Sequence, residues 1–426
     1  MTLNIVHFSK TPLAGAPIRL VQALRQHTDY KVNLIDLKRW GIFEHDVIYL
    51  ENPEYALSLA QKADIIHLHD CLDEESKIFE LIDFKQLRQQ GKMLLRQFHS
   101  PRLAIANGLG ITELELLASS IPSIVIAQYH ERYFPYSRVV PNIIPHNSDL
   151  YLPQVGNSVP EICYSATRPF SAWDGSQDYI KRWATKGSPE TIEIIKQVAT
   201  KTGCKATFLT GKTHAEVMKA KQQATIVADE LVTGSYHLSG LEGLGVGKPV
   251  VAYLDPRTIH TLQAISGSDI CPFINVRLEN VRTVLVHLLN NLDEVKHLGI
   301  ASRQWIEKYW SDKSLVQHFV DVYEQLVLDP SQITRQDSLR IDDKVTYFQA
   351  VTLPDLIYSS RANCFRVKPS YIQRVKQKLK FYSDRVRGWC IKHFPLLLVK
   401  FIRKTFRVKR RLFNKPAILK VVGWHI

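Results

Sequence analysis

The chain has 426 residues, 45% hydrophobic and 23% charged, which is too long for one ordinary core and apolar enough to bury two or three. Its net charge of +14 is concentrated in residues 371–426, with sixteen Lys and Arg against the single acid Asp384; the first 370 residues hold 39 basic and 40 acidic side chains, so the body is not a basic nucleic-acid binder. The six cysteines (Cys71, Cys163, Cys204, Cys271, Cys364 and Cys390) are scattered, with no CxxC pair and no nearby histidine at zinc spacing, and read as reduced thiols in a cytosolic protein with no structural metal.

The opening, MTLNIVHFSKT, reads as a short strand and not as a signal peptide, and no run reaches the roughly 18 apolar residues that span a bilayer. Strands at Leu3 to Phe8, Lys31 to Asp36, Ile65 to His69, Met93 to Phe98, Ile124 to Ala127 and Val139 to Ile144 alternate with helical stretches, the pattern of a parallel doubly wound sheet. After the first strand, SKTPLAGAP sets Gly15 before a helix from Ile18 to Gln26; it is either a plain turn or a place where backbone approaches a ligand. The third strand ends in HLHD, where alternation puts His67 and His69 on one face. A metal site would need a third ligand that the pattern does not supply, so no metal is expected. Met93 to Phe98 delivers His99 into the loop HSPR, as a cleft contact or as a loop brace. Pro141, Asn142 and Pro145 stiffen the end of this first domain, and residues 152–160 form a hinge.

A second alternating series follows. The strand Glu161 to Ser165 exits through a loop bearing Arg168, and Lys186 and Gly187 precede a helix over Glu190 to Thr202. Lys205 to Thr210 is a strand and Thr213 to Gln222 a helix. Ala224 to Asp255 then reads strand, polar turn, short small-residue helix, strand. The helix start near Ser239 and Gly240 offers free N–H groups to an anion. Glu242 follows in the first turn, where it either complements the helix dipole or accepts from sugar hydroxyls. Phe273 to Val276 is strand-like; helices at Leu278 to Asn291 and Ile300 to Tyr309 lead into SDKSLVQHFVDVYEQL, with Phe319 and Tyr323 at helical spacing.

The run Tyr236 to Val251, YHLSGLEGLGVGKPVV, resembles the donor-binding signature of glycosyltransferase family 4. The resemblance implies a GT-B fold: two Rossmann-like doubly wound domains facing a cleft, residues 1–151 for the acceptor and 152–330 for the donor. Glu242 matches the second glutamate of the family's pair, which contacts the donor ribose. Gly234 stands where the first is expected, so that corner is organised differently, through Tyr236 and His237, or activity is weakened. By the same resemblance QFHSPR makes His99 the catalytic-site contact, Gly15 faces the cleft, and Tyr236, His237 and Ser239 lie at the donor. Arg168 and Lys186 neutralise its diphosphate, at 18 residues apart instead of the usual four or five. The implied activity is transfer of a sugar from a nucleotide diphosphate sugar, used as co-substrate with no cofactor, to a lipid-linked or envelope polysaccharide acceptor, mostly with retention. The alternative is a non-catalytic GT-B protein acting as a membrane-tethered partner subunit.

Residues 331–370 read as a polar connector without an assigned role. Placed on a helix, Leu397 to Phe413 gathers Lys400, Arg403, Lys404, Arg407, Arg410 and Arg411 on one side and bulky apolar residues on the other. That amphipathic helical tail, residues 371–426, suits an anionic membrane surface on the cytoplasmic face better than nucleic acid, which has no use for the apolar side; the other alternative is a helix packed on the protein body with its charges in water.

Overall fold

The computed structural model describes residues 2–173, 182–358 and 375. The basic tail therefore lies outside the described residues. The first domain alternates β1 (Asn4–Ser9), α1 (Ala16–His27), β2 (Lys31–Asp36), β3 (Val47–Ile48), α2 (Pro53–Lys62), β4 (Ile65–His69) and α3 (Phe84–Gln89). It continues with β5 (Met93–Phe98), α4 (Arg102–Leu109), α5 (Glu113–Leu117), β6 (Ser123–Ile126) and β7 (Arg138–Val140). The second holds β8 (Glu161–Ser165), α6 (Ser188–Thr202), β9 (Lys205–Leu209), α7 (His214–Gln223), β10 (Ile226–Ala228), α8 (Leu238–Gly245) and β11 (Val250–Ala252). It ends with α9 (Pro256–Ser266), β12 (Ile274–Asn275), α10 (Leu278–Asn290), α11 (Leu292–Tyr309) and α12 (Asp312–Leu328).

Apolar runs separated by helices can pair only in parallel, because each crossover returns the chain to the same end of the sheet. Two sheets result, ordered β3-β2-β1-β4-β5-β6-β7 and β12-β11-β10-β8-β9. The strand order reverses between β1 and β4 in the first and between β8 and β10 in the second. Crevices beyond the carboxyl ends of such strands are where open α/β sheets bind ligands. The loops that matter for function, 10–15, the described parts 166–173 and 182–187, and 229–237, follow β1, β8 and β10.

Local signals set the helix starts. Pro17 opens α1, a capping box of Thr213 and Glu216 opens α7, and the Asp255 carboxylate accepts the Thr258 N–H at 2.8 Å to begin α9. The short helices α2 and α9 lack an obvious run of apolar periodicity and are additions to the sequence-derived plan, and α11 starts at Leu292, before the expected Ile300.

One continuous apolar core joins the domains, running from Phe98 and Phe134 in the first to Tyr236 and Trp310 in the second. Helix α12 crosses back to pack on the first domain, where Tyr323 is fully buried. Beyond it the chain straps across both domains. Arg335 donates to the carbonyls of Glu131 and Phe134 at 2.6 and 2.7 Å, and Asp355 accepts from the hydroxyls of Tyr129 and Tyr133 at 2.9 and 2.6 Å. Among the described residues no helix is long and apolar enough to cross a membrane.

Candidate functional site

The cleft corner at the amino end of α8 collects basic groups. Lys186 Nζ donates to His237 Nε2 at 2.7 Å, and the opposite ring nitrogen lies 3.4 Å from Asp229, whose carboxylate also accepts the His237 backbone N–H at 2.8 Å. Lys186 has φ +53°, a left-handed conformation costing a non-glycine residue of order 1 kcal/mol or more, and it is followed by Gly187 at φ +64°. That paired turn carries the ammonium to the cleft instead of solvent. Burial pushes the Lys186 pKa down, against the opposing pull of Glu230 and Asp229.

Arg168 and Lys186, 18 residues apart in sequence, meet over one ring. The Arg168 guanidinium carbon is 5.8 Å and Lys186 Nζ 4.6 Å from the centroid of Trp173. The long intervening segment thus does not separate them, and Trp173 had no sequence signal marking it as their common platform.

From the opposite domain comes His130, which the motifs do not mark. Its Nδ1 is buried without a partner, and burial, with Lys186 and His237 facing it, drives its pKa well down. The signal available was its position, shortly after the end of β6 at the carboxyl edge of the sheet. Ser239 lies in the first turn of α8, its hydroxyl 2.9 Å from that of Ser165 and accepting from Lys221 Nζ at 3.0 Å.

Glu242 sits one turn further along, in the second turn of α8 and not the first. Its Oε1 accepts from Arg19 Nη2 at 2.5 Å, its Oε2 from Lys221 Nζ at 2.5 Å, and His214 Nε2 is 3.0 Å from Oε1. Burial raises the carboxyl pKa, but Lys221, Arg19 and His214 outweigh it and hold the group well below the usual range. Arg19 belongs to α1, so this pairing ties the two domains together.

The position of Gly234 has a structural explanation. It has φ +77°, and a Cβ there would lie 2.8 Å from Asp255 Cβ. Asp255 pairs with Arg132 of the first domain through two hydrogen bonds of 2.8 and 2.9 Å, both side chains buried. Next to it, Glu131 takes Arg257 at 2.7 Å and also Arg335. An interdomain ion-pair cluster therefore fills the corner where the family's first glutamate is expected.

Tyr236 is fully buried, stacked 5.5 Å from Phe273, and its hydroxyl donates to the Ala127 carbonyl across the domain boundary. It offers a ligand no free atom. Gly15, at φ +82°, is packed under Phe43, whose ring a Cβ would overlap at 2.7 Å, and Phe43 lies beside Arg19 and His214. His99 is half-buried at the carboxyl edge of β5, its backbone N–H donating to Asp70 at 3.0 Å and its ring Nε2 3.0 Å from His69 Nδ1. Burial pushes its pKa down to about 3, so the ring is neutral.

Among the described residues, His7, His67 and His69 bring one ring nitrogen each within 4.8 Å of one another. The third histidine, absent from the local HLHD pattern, arrives by sheet register, His7 against His67. The rings stack at 4.4 and 4.6 Å with interplanar angles of 30° and 11°. In-plane lone pairs of stacked rings do not converge on one tetrahedral ion.

No protein-family model matches the chain, and no curated protein matches its sequence. Solved structures do. An alpha-glucosyltransferase in complex with UDP and a 13-mer DNA superimposes with a TM-score of 0.51 at 11% identity, covering 75% of this chain and 99% of that one. Sucrose-phosphate synthase from Thermosynechococcus elongatus gives 0.47 at 13% identity over 76% and 99% of the two chains. An Anabaena protein, HepE, in complex with UDP-glucose gives 0.48 at 12% over 76% and 100%. With two parallel sheets facing one cleft and a terminal helix crossing back, the chain has the GT-B fold, shared with the alpha-glucosyltransferase structure.

Proposed function

We propose that this chain is a glycosyltransferase that takes a sugar from a nucleotide diphosphate sugar. The observation that carries the reading is the convergence of Lys186, Arg168 and His237 on the amino end of α8, opposite the unpaired Nδ1 of His130. A diphosphate placed there meets a bidentate guanidinium, a point charge and helix N–H groups, which together stabilise the charge that develops on the leaving group. No metal or other cofactor is invoked. Binding of UDP by the alpha-glucosyltransferase of the same fold supports the donor class.

In this reading the acceptor lies on the first domain near His99, and the leaving phosphate assists its deprotonation with retention of configuration. The acceptor is lipid-linked or an envelope polysaccharide, held at the cytoplasmic face of the membrane by the amphipathic basic tail of residues 371–426. That part of the reading is supported by sequence alone.

A second reading, a non-catalytic binding or partner subunit, is favoured by two observations: the Asp255–Arg132 pair fills the first-glutamate corner, and both Glu242 oxygens are occupied. Thermal unfolding of the protein with millimolar UDP, GDP and ADP separates the two. A ligand that binds only the folded state raises stability by about 2.7 kcal/mol at a hundred times its Kd. A shift with one diphosphate, lost in Lys186→Ala, supports the transferase and directs a sugar panel with lipid, glycan and DNA acceptors. No shift with any of them in folded protein moves the assignment to the partner subunit.

A further inference from the structure

The histidines of the first domain are joined end to end. His99 Nε2 lies 3.0 Å from His69 Nδ1, His69 Nε2 lies 3.0 Å from His7 Nδ1, and His7 Nε2 lies 3.3 Å from the Tyr323 hydroxyl. That hydroxyl is 2.8 Å from His67 Nδ1. The chain starts beneath α12 and ends at the half-buried His99 on the carboxyl edge of the sheet. The atom at the end opposite His99, His67 Nε2, is buried with no hydrogen bond, and so is the carboxamide oxygen of Gln97 on the adjoining strand.

A neutral imidazole has one N–H and one lone pair, so each ring passes on whichever direction its neighbour imposes. Burial, reinforced by the neighbouring rings, keeps His7, His67 and His69 uncharged, and the Gln97 side chain lies close enough to favour a proton on His67. An amide oxygen can only accept. Placing the N–H on His67 Nε2, toward Gln97, makes its Nδ1 accept from Tyr323, the Tyr323 oxygen accept from His7 Nε2–H, His7 Nδ1 accept from His69 Nε2–H, and His69 Nδ1 accept from His99 Nε2–H. The opposite direction would leave a lone pair facing a buried unpaired acceptor, at a cost of order 1–3 kcal/mol.

We propose that Gln97, His67, Tyr323, His7 and His69 form a one-directional hydrogen-bonded relay that holds His99 in a single tautomer, with Nδ1 unprotonated toward the cleft. The consequence for chemistry rests on the glycosyltransferase reading: an acceptor hydroxyl meets a ring nitrogen able to take a hydrogen bond from it. Tyr323 and Gln97 are then positioning residues that act through His99.

The test is nitrogen NMR on the full chain with labelled histidine, His99 being assigned by the signals that vanish in His99→Gln. The expected wild-type result is a pyridine-type Nδ1. In Tyr323→Phe, His7 Nε2–H loses its acceptor, and reversing the chain keeps every remaining link, so His99 Nδ1 becomes pyrrole-type. Gln97→Met removes only the terminal acceptor and with it the bias between the two directions, so should the first variant fold poorly, His99 Nδ1 there becomes a mixture of pyridine and pyrrole types. A pyrrole-type Nδ1 in wild type, an unchanged tautomer in both variants, or stoichiometric zinc uptake lost in His67→Gln would overturn the relay. In a sugar-transfer assay Tyr323→Phe lowers kcat and leaves the donor KM unchanged. A tautomer that reverses in a protein inert toward every nucleotide sugar leaves the relay standing and brings down the transferase reading instead.

Discussion

Two stretches of one short helix, α8, meet opposite conditions. At the amino end of α8, His237 and its partner Lys186 face a cleft and a buried, unpartnered nitrogen of His130. One turn on, Glu242 is enclosed by Arg19 and Lys221, with no oxygen to spare. The first corner gathers Lys186, Arg168 and His237 at the cleft, with Asp229 and Glu230 as the nearby acids; the second has a basic partner on each carboxylate oxygen. The comparison teaches that a residue type at a motif position does not by itself determine what the side chain does. Glu242 matches a sugar-binding signature and also bridges the two domains through Arg19.

The largest effect is expected from breaking the neutralised side. Arg132→Ala leaves Asp255 buried without its bidentate partner and should lower unfolding free energy by about 3–5 kcal/mol in a denaturant titration. Replacing both residues with apolar ones of similar volume should recover much of that loss. Gly234→Glu, which restores the family residue, should destabilise instead of activating: the left-handed backbone alone costs roughly 1–3 kcal/mol, and the added Cβ collides with Asp255. A stable, more active variant would show that the corner opens.

On the cationic side, Lys186→Ala should weaken nucleoside diphosphate binding by about 1.5–3 kcal/mol, a roughly ten- to hundredfold rise in Kd by calorimetry, with little change in stability. The smallest effects are in pH. Since Lys186 is charged only below its lowered pKa, diphosphate affinity should fall on alkalinisation sooner than for an exposed lysine. Glu242 behaves in the opposite sense. With its folded pKa well below the unfolded value of about 4.3, its stabilisation is complete above that value and disappears as pH falls toward the folded pKa. Acid unfolding followed in Glu242→Gln, which lacks the titrating group, should show a shallower slope in that window.

Much of the framework was legible from residues alone. Buried runs such as Ile65 to His69 and Met93 to Phe98 announce parallel strands because both faces are covered, and the turn residues between them mark crossovers. The segment from Tyr236 to Val251 identified the second domain's helix and its packing strand because close helix–sheet contact demands small residues there. The site was less legible. Lys186, His237 and Arg168 were nameable by residue type, but Trp173, which gathers the two cations, and His130, from the other domain, carried no periodic or spacing signal.

The order of strands and helices, the two-domain plan and the basic character of the tail were thus determined by the sequence itself, since they follow from local hydrophobic pattern and charge. Which partner each buried polar or charged group took was decided only by the tertiary structure. Arg19 reaches Glu242 across 223 positions, Arg132 reaches Asp255 across 123, and Tyr323 joins His7 across 316. Pairing of that kind depends on where two sheets and a returning helix come to rest, and hydrogen bonding then selects among side chains that are neighbours in space and strangers in sequence.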